Sequence, residues 1–158
     1  MNQKTAMKLF GLLGLLMLLS CGYADRHRNS SLCEQALVDS LEVRVQDSLF
    51  SNVHYSRSQL LEALTQTQDS LVYYRLLALY GKTFFVSSDF DSILYYNRRV
   101  KEFSRNASQS SESLQSPRWN DVLSDVYNIE GNVWMQLNRP DSAIIDYKKA
   151  YGYRLEGK

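Results

Sequence analysis

Residues 122–155 read VLSDVYNIEGNVWMQLNRPDSAIIDYKKAYGYRL, and the fold follows from how that stretch is understood. Its apolar residues recur at three- and four-residue spacing, as in Val122, Val126, Val133 and Leu137, which predicts helices over Trp119–Leu137 and Ser142–Leu155. The pattern has an echo fifty residues upstream. Gly81, Phe84 and Asp91-Ser92-Ile93 align there with Gly131, Trp134 and Asp141-Ser142-Ala143. A repeated unit decides architecture, because each copy buries a face on its neighbour.

Working outward, helical spacing also predicts Leu32–Phe50, with Leu37, Leu41, Val45 and Leu49 as its stripe, then Ser58–Thr67, Leu71–Val86 and Ser92–Phe103. No run of strand period competes with them. The chain has only 7 Gly and 2 Pro, and Gly11, Gly14 and Gly22 lie at its N-terminus, so turn residues are too few for an all-β fold. The expectation is all-α. Between Asn106 and Pro117 the sequence NASQSSESLQSP is too poor in apolar residues to offset the entropy of ordering, and reads as a mobile loop. Asp-Ser recurs at Asp69, Asp91 and Asp141 where helices are expected to begin, which suits N-capping. Five Asp-Ser-apolar triplets occur in all, and they also resemble an acceptor pattern of bacterial periplasmic O-glycosylation.

In the second unit Tyr127, Gly131, Trp134, Ala143, Tyr147 and Ala150 fall at spacings that resemble the tetratricopeptide repeat, two antiparallel helices in about 34 residues. The resemblance is stronger over Val122–Leu155 than over Val72–Asn106. It implies that Gly81, Phe84, Tyr127, Gly131, Trp134, Ala143, Tyr147 and Ala150 pack the helix pairs together. The first unit departs from the pattern at Ile93, Asn97 and Val100, where a small residue, an aromatic and a second small residue are usual. Glu130 departs from it in the second unit, and the terminal proline is missing. The resemblance further implies a concave surface formed by the first helix of each pair, suited to an extended peptide or a partner helix. Carried over position by position, that surface comprises Arg75, Lys82 and Phe85 from the first unit and Asp125, Asn128 and Asn132 from the second. Asn132 leads this set, because an amide can meet both the donor and the acceptor of a bound backbone.

At the N-terminus Lys4 and Lys8 precede an apolar run of 11 residues, Leu9–Leu19. A hydrocarbon core needs about 20 helical residues, so the run reads as a signal peptide rather than a span. Its end, Leu18-Leu19-Ser20-Cys21, resembles the bacterial lipobox, which implies cleavage before Cys21, acyl chains on its thiol and attachment at the periplasmic side of a membrane. Multiple chains hold a protein at a membrane stably, and Gly22 in place of Asp weakly favours the outer one. Cys33 is then left without an intrachain partner and reads as a small buried apolar residue.

The expected organisation is therefore a leader at 1–20, a tether at 21–31, N-terminal helices at 32–70, repeat-like units at 71–106 and 119–158, and the Ser-rich loop at 107–118 between them. Lys+Arg 18 against Asp+Glu 17 gives no basic footprint for nucleic acid. His27 and His54 are the only histidines, and neither metal-ligand spacing, a phosphate loop nor a nucleophile motif is present, so no cofactor, metal or catalysis is expected. The expected role is a non-catalytic, lipid-anchored scaffold that binds a protein or peptide and can self-associate through a C-terminal face including Tyr147 and Tyr151. The alternative expectation is the truncated extracytoplasmic sensory part of a repeat-containing kinase or regulator.

Overall fold

A computed structural model describes residues 35–48, 51–107 and 117–157. The leader, the tether, Cys21, Cys33 and the stretch 108–116 lie outside the described residues. The chain divides after Leu37, and the packed helices belong to the unit Val38–Lys158. The described residues are all-α, with no strand among them. Helix α1 covers 35–48, α2 Val53–Gln66, α3 Ser70–Lys82, α4 Phe90–Ala107, α5 Pro117–Gln136 and α6 Pro140–Glu156, and a 3₁₀ turn at Thr83–Ser87 extends α3.

Helix starts show which local signals prevailed. Asn52 accepts from the Tyr55 N–H at 3.1 Å and starts α2 at Val53, so His54, expected in a loop, is an exposed helical residue. Asp69 caps α3 as expected, accepting from the N–H groups of Leu71 and Val72. The other two Asp-Ser pairs do not cap. At α4 the capping side chain is Asp89, which accepts from the Ser92 N–H and hydroxyl, and Asp91 sits within the first turn. At α6 Arg139 occupies the cap without a side-chain bond, and Pro140, with its φ already helical, starts the helix ahead of Asp141. Both acids remain in a first turn, where the helix dipole favours them.

The fifty-residue echo is a geometric one. Ser88 and Asn138 both adopt left-handed φ, 54° and 57°. After them the Asp89 N–H bonds the Phe84 carbonyl as the Arg139 N–H bonds that of Trp134. Helix α4 then starts at Phe90 and α6 at Pro140. Gly81 brings α3 against Tyr96 and Asn97, and Gly131 brings α5 against the ring of Tyr147. Phe84 stacks on Tyr96, while at the matching positions the Trp134 indole N–H donates to Asp146 at 2.8 Å. Ala143 and Ala150 are buried beneath α5, as Ile93 and Val100 are in the first pair.

One apolar cluster joins α1, α2 and α3 through Val38, Leu41, Val45, Leu60, Leu76 and Tyr80. The buried stripe of α1 therefore runs through Val38, while Leu37 is 62% exposed. A second cluster joins α3, α4 and α5 around Leu77, Val100, Trp119 and Val126, and a third holds Ile93, Ile129 and Val133. Residues 107, 117 and 118, expected in the Ser-rich loop, are helical. Tyr147 is half-buried against Gly131, so the exposed large apolar residues of α6 are instead Ile144, Ile145, Tyr151 and Leu155.

Candidate functional site

Because α3 packs on α1 on one side and on α5 on the other, a groove runs between α1 and α5 with α3 beneath it. Its floor is apolar, made by Val38, Leu79, Val122, Val126 and Ile129. Two recesses open from it. One, of about 410 Å³, lies at the α1 end and is bordered by Asp39, Glu42, Arg75, Arg118, Asp121 and Asp125. The other, of about 220 Å³, lies at the 3₁₀ end among Lys82, Phe85, Val86, Asn128, Ile129 and Asn132.

The structure thus brings Arg75, Lys82, Phe85, Asp125, Asn128 and Asn132 to one continuous groove. Two of them differ from the sequence expectation in what they offer. Repeat spacing places Arg75 on an open surface, but its side chain is only 7% exposed, because α1 lies across it: Nη2 donates to Asp39 at 2.8 Å and lies 3.4 Å from Glu42. Its Nη1 is buried with no hydrogen-bond partner among the described residues. Asn132 accepts a 2.7 Å bond from the Tyr147 hydroxyl, so one lone pair of its Oδ1 is already used and Nδ2 is what the amide chiefly offers.

Ion pairs tie the rim together. Arg118 reaches Asp39 at 3.0 Å, Arg154 reaches Asp125 at 3.2 Å and Asp121 at 3.9 Å, and Lys82 stands 3.9 Å from Asp125. Apart from Arg75 these are exposed or half-exposed pairs, each worth up to about 1 kcal/mol and open to exchange. Sequence reasoning missed the α1 wall and the outer acids. A pair such as Arg75–Asp39 spans 36 residues, and nothing in a single sequence marks it.

A second polar cluster lies inside the helix packing. Glu130 is 3% exposed and accepts from the Lys101 ammonium at 2.6 Å, across from α4 to α5. Burial pushes the Glu130 carboxyl up from its ordinary value, and Lys101 opposes that shift. The Tyr127 ring stacks on Tyr153 and faces the ammonium groups of Lys101 and Lys149. Burial, with Tyr153 next, raises the Tyr127 phenol. No group of three or more His, Cys, Asp or Glu able to hold a metal ion occurs among the described residues, and no described helix is long and apolar enough to cross a membrane. No protein-family model, curated protein or solved structure matches the chain.

Proposed function

We propose that this chain is a tetratricopeptide-like lipoprotein, a non-catalytic scaffold that binds a protein or peptide partner in the groove between α1 and α5. The observation that carries the reading is the convergence of six residues, named from repeat spacing alone, on one groove with an apolar floor. The paired features fifty residues apart, down to matching left-handed residues, support the repeat assignment. Acyl chains on Cys21 would hold the groove near the periplasmic face of a membrane, with the outer membrane favoured by Gly22. The exposed apolar face of α6 favours a second reading, in which the module stacks on another copy or on a further helical part of a signalling protein.

The test uses a photo-crosslinking residue placed in the source cells at Asn128, in the groove, or at Glu102, exposed on α4. A discrete adduct from Asn128 alone, lost when Cys21→Ala releases the protein from the membrane fraction, is the expected result. Equal adducts from both positions would remove the groove, and wild type in the soluble fraction would remove the anchor.

A further inference from the structure

We infer that the outer face of α6, made by Ile144, Ile145, Tyr151 and Leu155 around Lys148, rests on the surface of a phospholipid bilayer and turns the groove away from it. The inference rests on the reading of Cys21 as a lipid anchor, and gives to a bilayer the face that the second reading gives to another chain.

The fifty-residue offset sets this face apart. On α4 the exposed outer positions carry Tyr95, Arg98, Glu102 and Arg105, a solvated set, whereas the same positions on α6 carry Ile145, Lys148, Gly152 and Leu155. Tyr151 stands where Lys101 reaches Glu130, and Ile144 where Leu94 packs on the third apolar cluster. Ile144, Ile145, Tyr151 and Leu155 are 50–65% exposed. At 3.6 residues per turn they span about 120° of the helix, and Asp141, in the first turn, and Lys148 are the only charged residues inside that arc. Helix α6 thus carries a second apolar stripe besides the one it buries on α5.

A following helix would not cover that stripe. Helix α5 lies on α4 over Asn97, Val100, Lys101 and Ser104 and leaves Tyr95 and Arg105 exposed, so a helix placed likewise on α6 would leave Ile145 and Leu155 in water. Such a helix would also need apolar residues on α5. Leu71 and Ala78 of α3 pack on the cluster shared with α5, but their counterparts on α5 are the exposed Asp121 and Asn128. A second copy set face to face would oppose Lys148 and the arginines of α4 to their own equivalents. A bilayer surface meets all four apolar side chains at once, while Lys148 extends to the headgroup phosphates and the Tyr151 ring keeps its hydroxyl at their level. Helix α4 lies alongside, since Lys101 and Lys149 both face the Tyr127 ring, and it brings the exposed Arg98 and Arg105 to the same phosphates. The groove is on the other side of α5, which turns Tyr127 and Gly131 toward α6 and Val122 and Asp125 toward the groove.

The anchor reaches this face. Asp39 pairs with Arg118 in the first turn of α5, and Arg154 in the last turn of α6 pairs with Asp121, so the chain enters the packed unit at the end of α6 that carries Tyr151 and Leu155. Fully extended, the stretch from Cys21 to Val38 measures about 60 Å at most. A face tethered that closely stays docked even with little affinity of its own.

The test uses the lipidated chain purified from membranes and reconstituted into phosphatidylethanolamine–phosphatidylglycerol vesicles, with and without bromine on the acyl chains. Tyr151→Trp and Asn128→Trp, both at exposed positions, report the α6 face and the groove. Bromine is expected to remove most of the emission added by Tyr151→Trp and none of that added by Asn128→Trp, and Ile145→Ser with Leu155→Ser should abolish that quenching. A chain that floats with the vesicles but shows no quenching at Tyr151→Trp, or equal quenching at both positions, would overturn this inference and leave the anchor standing. Emission from Tyr151→Trp that shifts to the blue without bromine quenching would assign the face to another chain and overturn it likewise. A chain that does not float with the vesicles would overturn the anchor and this inference together.

Discussion

The α3–α4 and α5–α6 pairs follow one backbone plan with different side chains. The α5–α6 pair is closed by small residues: Gly131 admits the Tyr147 ring, and Ala143 and Ala150 let the helices approach. The α3–α4 pair has Ile93, Asn97 and Val100 at the matching positions, and contact between its helices is less extensive. All three are almost wholly buried, Ile93 and Val100 in apolar packing and Asn97 with its Oδ1 unpartnered among the described residues. They face a second neighbour, as the Asn97 amide shows by donating to the Val126 carbonyl of α5 at 3.2 Å. The first pair is thus an interior layer that packs on both sides, whereas the second is tightened internally and leaves the outer face of α6 open. Departures from the repeat pattern mark contacts between pairs, and Glu130 is another, reaching Lys101 on α4.

Removing that inter-pair contact should have the largest effect. Lys101→Met strands a buried carboxylate and should cost about 3 kcal/mol in urea unfolding, while Lys101→Met with Glu130→Leu should recover most of it. A single variant costing under half that would mean Glu130 finds water, and the two pairs are less firmly joined than their geometry indicates. Within the pairs, a Cβ on Gly131 would run into the Tyr147 ring, and one on Gly81 would meet the Tyr96 Cβ at 2.9 Å. Gly131→Ala should therefore destabilise by about 2 kcal/mol and Gly81→Ala by about 1, after the gain in helix propensity. Adding Tyr147→Ala to Gly131→Ala should recover part of the loss. Equal costs at the two glycines would erase the distinction between a tightened pair and an interior layer.

Caps give a smaller contrast. Asp69→Ala removes a side-chain acceptor and should cost about 1 kcal/mol by thermal unfolding, Asp89→Ala should lower the melting temperature in the same way, and Asp91→Ala and Asp141→Ala, which lose only dipole stabilisation of about 0.5 kcal/mol, should lower it less. The Asp-Ser pattern marked Asp69, Asp91 and Asp141 alike, although only the first of them caps, and it passed over Asp89. That choice depends on where the preceding chain turns, and the left-handed Ser88 and the ring of Pro140 set it. Periodicity alone made the all-α class and every helix from α3 to α6 legible, because each buries one stripe. The groove residues on α3, the 3₁₀ turn and α5 were legible through the resemblance to the tetratricopeptide repeat, position by position, and not through periodicity. Its α1 wall was not, since Asp39 and Glu42 enter through contacts more than thirty residues distant, and neither was the burial of Arg75 that those contacts cause.

The smallest expected effect separates the two pairs by the sign of their response to pH. Glu130, between the pairs, has its carboxyl raised by burial against the opposing pull of Lys101. A carboxyl that holds its proton more tightly when folded makes stability fall as pH rises from its unfolded value to its folded one, so acidification through that window adds stability. Asp89, at the start of α4, is held below the ordinary carboxylate range by the hydrogen bonds of Ser92. Its contribution is present above the unfolded value and is lost as pH falls through the folded one. Urea midpoints followed from neutral pH into the carboxylate range should therefore change in opposite directions on substitution. Glu130→Gln should remove a gain on acidification, and Asp89→Asn should remove a loss. If Glu130→Gln leaves the pH profile unchanged, its carboxylate is solvated, and the seam between the two pairs is held chiefly by apolar packing with the Asn97 amide on Val126 and the Trp119 indole N–H on Ser104.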